Sequence, residues 1–367
     1  MKLALAVCLA ACSAAAPPRI QLVETVPVET SLERALPEAA DVWVEMIDGA
    51  KTSIDLAEFY ASNAPGSRLE PVVRALEAAA ARGVKVRFLA EHSFVKVYPD
   101  TLDRLARAHA LVRHLDLGTG GILHAKYFVV DGKDAFLGSQ NFDWRAIEHN
   151  LELGARVRDT AIAGGLEAVF ALDWAHAGGE PAPATAAPSS VLVASPGSQL
   201  PAGLAWELPA LVARIDAARA TIHVQLLTYK AGDWDELEAP LRRAAARGVE
   251  VELLVADWSA RESTIGGLKD LARVPHVEVK MISIAPASRG FIPFARVAHA
   301  KLLVVDGVRG WLGTSNWERE YFYQSRNVAL LVDDVALARQ LDRFFAAAWR
   351  SALRVDPEGT YTPPRIQ

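Results

Sequence analysis

The two halves of the chain repeat each other, and this duplication constrains the fold more than any other feature of the sequence. Residues 47–54 (IDGAKTSI) match residues 215–222 (IDAARATI), and residues 80–86 (AARGVKV) match residues 245–251 (AARGVEV). A duplication over this distance indicates two copies of one structural unit rather than a short-period solenoid. The 367 residues are enough for two domains of ordinary size.

Within each copy the apolar residues alternate between a helical period and a strand period. Such alternation predicts an α/β fold of two similar α-β-α sandwich domains, related by a pseudo-twofold, with a shared site at their interface. In the first copy the predicted helices are about Glu38 to Gly49 and Leu69 to Ala81, with an amphipathic stretch at 103–109. The predicted strands are Ser53 to Tyr60, Val84 to Ala90, Ile122 to Val130 and Ala135 to Gly138, the last two joined by a turn at Asp131-Gly132.

A stretch rich in Pro, Ala, Gly and Ser divides the chain nearly in half. It covers residues 178–199 and has the composition of a linker. The predicted domains are therefore residues 17–177 and 200–367.

The first 16 residues have the features of a secretory signal peptide. Lys2 precedes an apolar run from Leu3 to Ala11, which is about half of the roughly 20 residues that a spanning helix needs. Residues 9–12 (LAAC) resemble a bacterial lipoprotein box, which would place a lipid on Cys12, whereas ordinary cleavage near Ala15 is the alternative. We expect an exported protein, either attached to the cell envelope by this lipid or released to the periplasm or beyond.

Charge and cysteine content narrow the chemistry further. The formal net charge of -5 gives no overall basic surface for tight binding along a duplex. Both cysteines, Cys8 and Cys12, lie in the signal segment, so the mature body would have no disulfide, thiol nucleophile or Cys-ligated metal.

The strongest chemical signal is a motif that both halves carry with identical spacing. Coincidence cannot account for so many identical positions at the same offsets. The shared positions are His124, Lys126, Asp131, Gly138 and Asn141 in the first half and His299, Lys301, Asp306, Gly313 and Asn316 in the second.

This set of side chains fits phosphodiester chemistry. On a strand His124 and Lys126 point to the same side, and the following hairpin returns Asn141 toward them. Lysine and amide donors stabilise charge on phosphoryl oxygens, one imidazole can attack phosphorus, and a second can protonate the leaving alkoxide. The predicted phosphate-binding residues are Lys126, Lys301, Asn141, Asn316, Ser139 and Thr314. No metal or other cofactor is required, and Asp131 and Asp306 are predicted to be structural turn residues.

The paired motifs resemble those of the phospholipase D superfamily, over nearly the whole mature chain. Further stretches resemble the branch that contains animal lysosomal 5′-exonucleases and poxvirus envelope proteins, and this branch implies removal of nucleotides from the 5′ end of single strands. These stretches are Gln21–Pro27, Ile54–Tyr60, Gly138–Arg145 and Gly313–Trp317 with Tyr321 and Phe322.

The resemblance also implies a partner for the attacking histidine, because superfamily members hold its ring with a carboxylate some 28 residues downstream. Glu152 stands at this offset from His124, whereas Asn327 stands there relative to His299. The expected arrangement is Glu152 beside His124, with His124 as nucleophile and His299 as general acid and base.

Three functions remain open from the sequence. The first is an exported phosphodiesterase acting on single-stranded DNA or RNA, and the second is a phospholipase D or phosphatidyl transferase. The third, an inactive envelope scaffold, has no need for paired His and Lys. Aromatic residues near the motifs could stack on unpaired bases or pack in the core: Phe59, Tyr60, Trp144, Trp317, Tyr321, Phe322 and Tyr323. No obligate protein partner is evident.

Overall fold

The computed structural model describes residues 18–187, 189–230, 232 and 234–367. The predicted signal segment and Cys12 lie outside these residues. Among the described helices, none is both long enough and apolar enough to cross a bilayer.

The first half forms a seven-stranded sheet with helices on both faces. The order of its strands is β1-β9-β7-β6-β2-β4-β5. These seven strands are β1 (Ile20–Thr25), β2 (Ser53–Glu58), β4 (Lys85–Glu91), β5 (Leu111–Leu115), β6 (Tyr127–Val130), β7 (Asp134–Gly138) and β9 (Glu152–Val157). The short strands β3 (Ala61–Ser62) and β8 (Phe142–Asp143) pair in a separate two-stranded sheet. Its helices are α1 (Ala39–Gly49), α2 (Glu70–Ala81), α3 (Pro99–Arg107), α4 (Trp144–Glu148) and α5 (Thr160–Ala177).

The second half repeats this order and adds an edge strand at each end. Its order is β11-β10-β17-β16-β15-β12-β13-β14-β18. Its strands are β10 (Leu192–Ser195), β11 (Ala205–Trp206), β12 (Thr221–Leu226), β13 (Glu250–Ala256), β14 (Val277–Ile282), β15 (Leu302–Val305), β16 (Arg309–Gly313), β17 (Asn327–Val332) and β18 (Leu353–Arg354). Its helices are α6 (Glu207–Asp216), α7 (Glu238–Ala246), α8 (Glu262–Ala272), α9 (Arg319–Tyr323) and α10 (Val335–Arg350).

The buried apolar side chains explain why the two halves form one body. The outer helices of each half cover one face of its sheet. The inner faces of both sheets, together with α5 and α10, share a single core that includes Tyr127, Phe170, Leu302 and Phe345. The fold class predicted from the sequence, α/β with two similar sandwich domains, is confirmed.

Two local predictions need correction. Strand β10 lies inside the stretch predicted as a linker, and it pairs antiparallel with β17, so the second sheet begins at Leu192. The strand predicted from Ile122 begins only at Tyr127. Ile122 and His124 instead hydrogen-bond to the backbone of Arg326 in the other half, which a pattern within one copy cannot reveal.

Candidate active site

Each half supplies the backbone partner that holds the motif histidine of the other half. The amide N–H of His124 donates to the carbonyl oxygen of Arg326 at 3.0 Å, and that of His299 donates to the carbonyl of Leu151 at 2.8 Å. The two histidines are therefore fixed at the junction of the two sheets. Both line one cavity of about 510 Å³.

The imidazole partners are also exchanged between the halves, which corrects the expected pairing. Glu152 does not hold His124: its Oε2 lies 2.8 Å from Nδ1 of His299. Nδ1 of His124 instead lies 3.1 Å from Oδ1 of Asn327. The 28-residue offset correctly identifies Glu152 and Asn327 as imidazole partners but assigns each to the wrong histidine. Each partner binds the histidine of the other half, across the interface.

Ser139 and Thr314 hydrogen-bond to these partners, a contact that the sequence did not predict, and their phosphate-binding role stays a prediction. Oγ of Ser139 donates to Oε2 of Glu152 at 2.5 Å, and Oγ1 of Thr314 donates to Oδ1 of Asn327 at 2.8 Å. Both side chains are fully buried and neither lines the cavity. Ser139 and Thr314 thus orient Glu152 and Asn327, which in turn orient the two imidazoles.

The motif lysines lie beneath the histidines and are also fully buried. Nζ of Lys126 donates to the carbonyl oxygen of His124, and Nζ of Lys301 donates to that of His299, each at 2.5 Å. Burial lowers the pKa of Lys301 to about 7, although Glu152 opposes the shift. Burial also lowers the pKa of Lys126 well below its usual value, and the Lys301 ammonium adds to this effect.

The electrostatics of the site favour an anionic ligand. Burial and the charges of the two lysines lower the pKa of both His124 and His299 well below 6.5. Burial raises the pKa of Glu152 to about 8, with Lys301 acting in the opposite direction. An anion bound between the lysines would offset their repulsion and favour an imidazolium.

The amide side chains of Asn141 and Asn316 face this cavity. Their Oδ1 atoms are buried and find no hydrogen-bond partner within the described part of the chain. The structure therefore brings the two imidazoles and these two amides to one cavity, with the two lysines directly behind it. This arrangement can bind one phosphodiester and act on it from two sides.

An aromatic wall adjoins His124. The ring of Phe59 lies 5.5 Å from that of His124, and Tyr321 lies 4.8 Å from it on another side. Phe94 and Tyr98 extend the wall outward, because Tyr60 stacks on both at 5.4 and 4.8 Å.

The other aromatic candidates are divided between core and surface. Trp317 and Phe322 are buried in the core of the second half. Tyr323 packs against Trp206, and Trp144 packs against His149 outside the cavity.

Sequence reasoning missed four aromatic residues that line the cavity: Phe94, Tyr98, Trp258 and Phe294. They lie outside the repeated motifs, so no spacing marks them. Arg145 also lines the cavity and was quoted only as part of a resemblance. Its guanidinium is held by Asp143 at 2.5 Å and lies 5.5 Å from the ring of Tyr98.

The two aspartates of the motif lie away from the cavity. Asp131 accepts hydrogen bonds from the backbone N–H groups of Lys51, Thr52 and Ser53. Asp306 does the same for residues 219–221. Each aspartate ties the hairpin of its half to the loop before the neighbouring strand.

Comparison with known families gives a match over both halves. A family model described as "Cardiolipin synthase, PLD-like domain" matches residues 43–174 and 211–349. The match covers most of the chain and contains both histidine motifs.

Curated relatives are similar over nearly the whole chain. The chain is 29% identical to the 5′-3′ exonuclease PLD3 of Bos taurus, an alignment that covers 90% of this chain and 79% of that protein. It is also 29% identical to Phospholipase D Z of Dictyostelium discoideum, covering 90% and 89%. A third relative is the virion nicking-joining enzyme of Vaccinia virus, at 29% identity over 90% of this chain and 87% of that protein.

Solved structures share the fold. Phosphatidylserine synthase of Haemophilus influenzae has a TM-score of 0.63 at 11% identity, covering 87% of this chain and 86% of that chain. Polyphosphate kinase from Porphyromonas gingivalis has a TM-score of 0.65 at 17% identity, covering 95% of this chain but only 51% of that chain. At these identities the likeness concerns the fold alone.

Proposed function

Because the chain belongs to the phospholipase D superfamily of phosphodiesterases, close to the exonuclease and poxvirus branch, we propose that it cleaves single-stranded nucleic acid from an end through a phosphohistidine intermediate. The observation that carries the substrate class is the aromatic wall of Phe59, Phe94 and Tyr98 beside His124. Aromatic side chains stack on the faces of unpaired bases without regard to sequence, and in a duplex the faces of the bases are not exposed.

The exchanged partners lead us to reverse the roles expected from the sequence: His299 is the nucleophile and His124 the general acid. Glu152 accepts from Nδ1 of His299, which leaves Nε2 free to attack and stabilises the positive charge of the N-phosphoryl ring. Asn327 stabilises the charged form of His124 less than a carboxylate would, so His124 releases its proton more readily.

The reaction then has two balanced steps. In the first, Nε2 of His299 forms a bond to phosphorus while the phosphorus–oxygen bond to the leaving nucleoside breaks, and His124 protonates the departing oxygen. In the second, His124 takes a proton from water, whose oxygen attacks phosphorus and displaces His299. Lys126, Lys301 and the two asparagine amides stabilise the charge on the non-bridging oxygens throughout.

Phospholipid cleavage is the second candidate, and a different observation favours it. Two apolar side chains at the mouth of the cavity are exposed, Val97 at 56% and Phe294 at 39%. Exposed apolar residues around a polar site suit contact with a lipid surface. The same phosphohistidine could then pass a phosphatidyl group to water or to an alcohol.

A substrate comparison with the full-length protein decides between these candidates. Linear single-stranded DNA, circular single-stranded DNA, duplex DNA and phosphatidylcholine vesicles are incubated in parallel. We expect the linear single strand to be consumed fastest and the circle to resist. Faster turnover of the lipid would establish the second candidate, and cleavage of the circle at the linear rate would refute end-specific action.

The roles of the histidines separate when the leaving group is changed. p-Nitrophenolate departs without a proton, so His124→Ala should retain the first half-reaction on a p-nitrophenyl phosphodiester and accumulate a phosphoryl adduct on His299. His299→Ala should lose activity on both substrates, and the exposed His276→Ala serves as the control. An adduct on His124 in the His299→Ala variant would restore the order expected from the sequence.

We also propose that the protein is exported and anchored by a lipid on Cys12, on the strength of the LAAC sequence at residues 9–12. Radiolabelled palmitate should enter the wild type and not Cys12→Ser. Equal labelling of both proteins, or of neither, would contradict the anchor.

A further inference from the structure

Glu58 lies directly across the sheet from Lys126, although it belongs to neither histidine motif. Strands β2 and β6 are antiparallel, and Ala57 stands opposite Tyr127. Continuing this register by one residue places Glu58 opposite Lys126. Residues that stand opposite each other in antiparallel strands project from the same face. Leu56 and Phe128, the pair two positions back, lie in the same core cluster, which confirms that face.

The surroundings of Glu58 are unusual for a carboxylate. Its side chain is fully buried, and among the described residues neither oxygen has a partner at good hydrogen-bond geometry, although the backbone N–H of Phe142 approaches the carboxylate. Such a group costs stability unless a charge nearby compensates it. Burial raises the pKa of Glu58 well above its usual value, and the Lys126 ammonium and the backbone N–H of Phe142 act in the opposite direction.

The second half shows that the fold itself does not require this carboxylate. Strands β12 and β15 have the same register, with Gln225 opposite Leu302, so Leu226 stands opposite Lys301. Leu226 packs in the outer core of its half. One motif lysine therefore faces a carboxylate and the other faces an apolar side chain.

The charges around Lys126 indicate a role for the Glu58 carboxylate. Lys301 repels Lys126, whereas Glu58 and Glu152 attract it. Lys301 has Glu152 as its acidic neighbour. Without Glu58 the two ammonium groups would share one carboxylate in a buried site, and the pKa of Lys126 would fall further.

We propose that Glu58 is a positioning residue that keeps the Lys126 ammonium in its charged form for phosphate binding. The inference rests on the proposed phosphodiesterase function, since it assigns Glu58 a role in that reaction. It makes the two lysines unequal: Lys126 depends on a carboxylate of its own strand pair, and Lys301 depends on Glu152. Glu58 acts on phosphate only through Lys126, which makes it a positioning residue and not a catalytic one.

The test replaces Glu58 by Gln, which removes the charge and keeps the shape. The matched control is Leu226→Gln, the same residue at the equivalent position opposite Lys301. In full-length protein the side-chain amines of lysine are titrated by nuclear magnetic resonance, with Lys126→Arg used to assign the Lys126 signal. Binding of inorganic phosphate and the values of kcat and KM are measured on the same samples.

In Glu58→Gln we expect Lys126 to lose its proton about one pH unit lower or more. The dissociation constant for phosphate at pH 8 should rise about tenfold, with recovery at pH 6, because a neutral amine contributes no charge to anion binding. Leu226→Gln should leave the Lys126 titration where it is in the wild type. Glu58→Leu, which copies the pair of the second half, should behave like Glu58→Gln.

An unchanged Lys126 titration in Glu58→Gln, with phosphate binding as in the wild type, would overturn the proposal. That result is distinguishable from failure of the proposed function, in which the wild type would cleave no phosphodiester at any pH. The titration reports on Lys126 in either case, so it tests Glu58 independently of turnover.

Discussion

Single side chains make the two halves of the site unequal. Glu152 and Asn327 occupy equivalent positions in the repeat, yet one brings a carboxylate to His299 and the other brings an amide to His124. A carboxylate within hydrogen-bonding distance raises the pKa of an imidazole, whereas an amide has a smaller effect. The carboxylate therefore suits the ring that becomes positively charged when it is phosphorylated, and the amide suits the ring that must release a proton.

Asn327→Glu should move the alkaline limb of the kcat/KM profile to higher pH. His124 must be protonated to act as an acid, so activity falls as the pH rises through its pKa, which burial and the lysines have lowered. A carboxylate at position 327 would raise that pKa by about 1–3 units and extend activity upward by as much. Asn327→Gln is the neutral control, and a limb that moved to lower pH in Asn327→Glu would contradict the assignment.

Activity should survive EDTA. Two lysines and two asparagine amides already supply the charge stabilisation that a divalent ion would give. Within the part of the chain that the structure describes, no group of three or more His, Cys, Asp or Glu side chains is placed to hold a metal. Loss of turnover in chelator, with recovery on adding one divalent ion, would contradict the mechanism.

At the scale of elements, each hairpin is tied to the start of the strand beside it by one aspartate. The turn residues Asp131 and Asp306 have φ angles of 51° and 53°, a conformation that Asp adopts more readily than most residues, and a Gly follows each. Burial raises the pKa of Asp131, but hydrogen bonds from Thr52 and its neighbours outweigh this and lower it to about 2. These ties fix the register of β6 and β15, and through them the positions of the motif residues.

Asp131→Asn should lower the free energy of unfolding by about 1–3 kcal/mol, because an amide offers one acceptor oxygen to several N–H donors. Asp306→Asn should cost a similar amount, somewhat less because Asp131 also accepts from the hydroxyl of Thr52. Urea denaturation at pH 7 measures both. Unchanged stability with a large loss of kcat would instead point to a catalytic role for these aspartates.

At the scale of the whole molecule, a buried ion pair joins the halves behind the site. Asp173 of α5 accepts two hydrogen bonds from Arg326, each at 2.7 Å, and both side chains are buried. The backbone carbonyl of Arg326 is the acceptor that holds His124. The contact that joins the two halves therefore also positions one of the two imidazoles.

Asp173→Asn should destabilise the protein by about 3–5 kcal/mol, because it leaves a buried guanidinium without its counter-charge. The double variant Asp173→Leu with Arg326→Met should be less destabilised than Asp173→Asn, since it removes both charges. Denaturation followed by tryptophan fluorescence measures these differences. A double variant that is less stable than the single one would show that packing, and not charge, dominates this contact.

The sequence by itself determined the duplication, the α/β class, the superfamily and its branch, and the residues that meet at one cavity. The duplication and the fold class follow from local periodicity and fixed offsets within one repeat, whereas the superfamily and its branch follow from the resemblance of the motifs to those of known proteins. Tertiary structure decided which half supplies each partner. Glu152 contacts His299, Asn327 contacts His124, and Phe94, Tyr98 and Trp258 line the cavity. The sequence could not predict these contacts, because residues that meet across the interface between two repeats have no characteristic spacing along the chain.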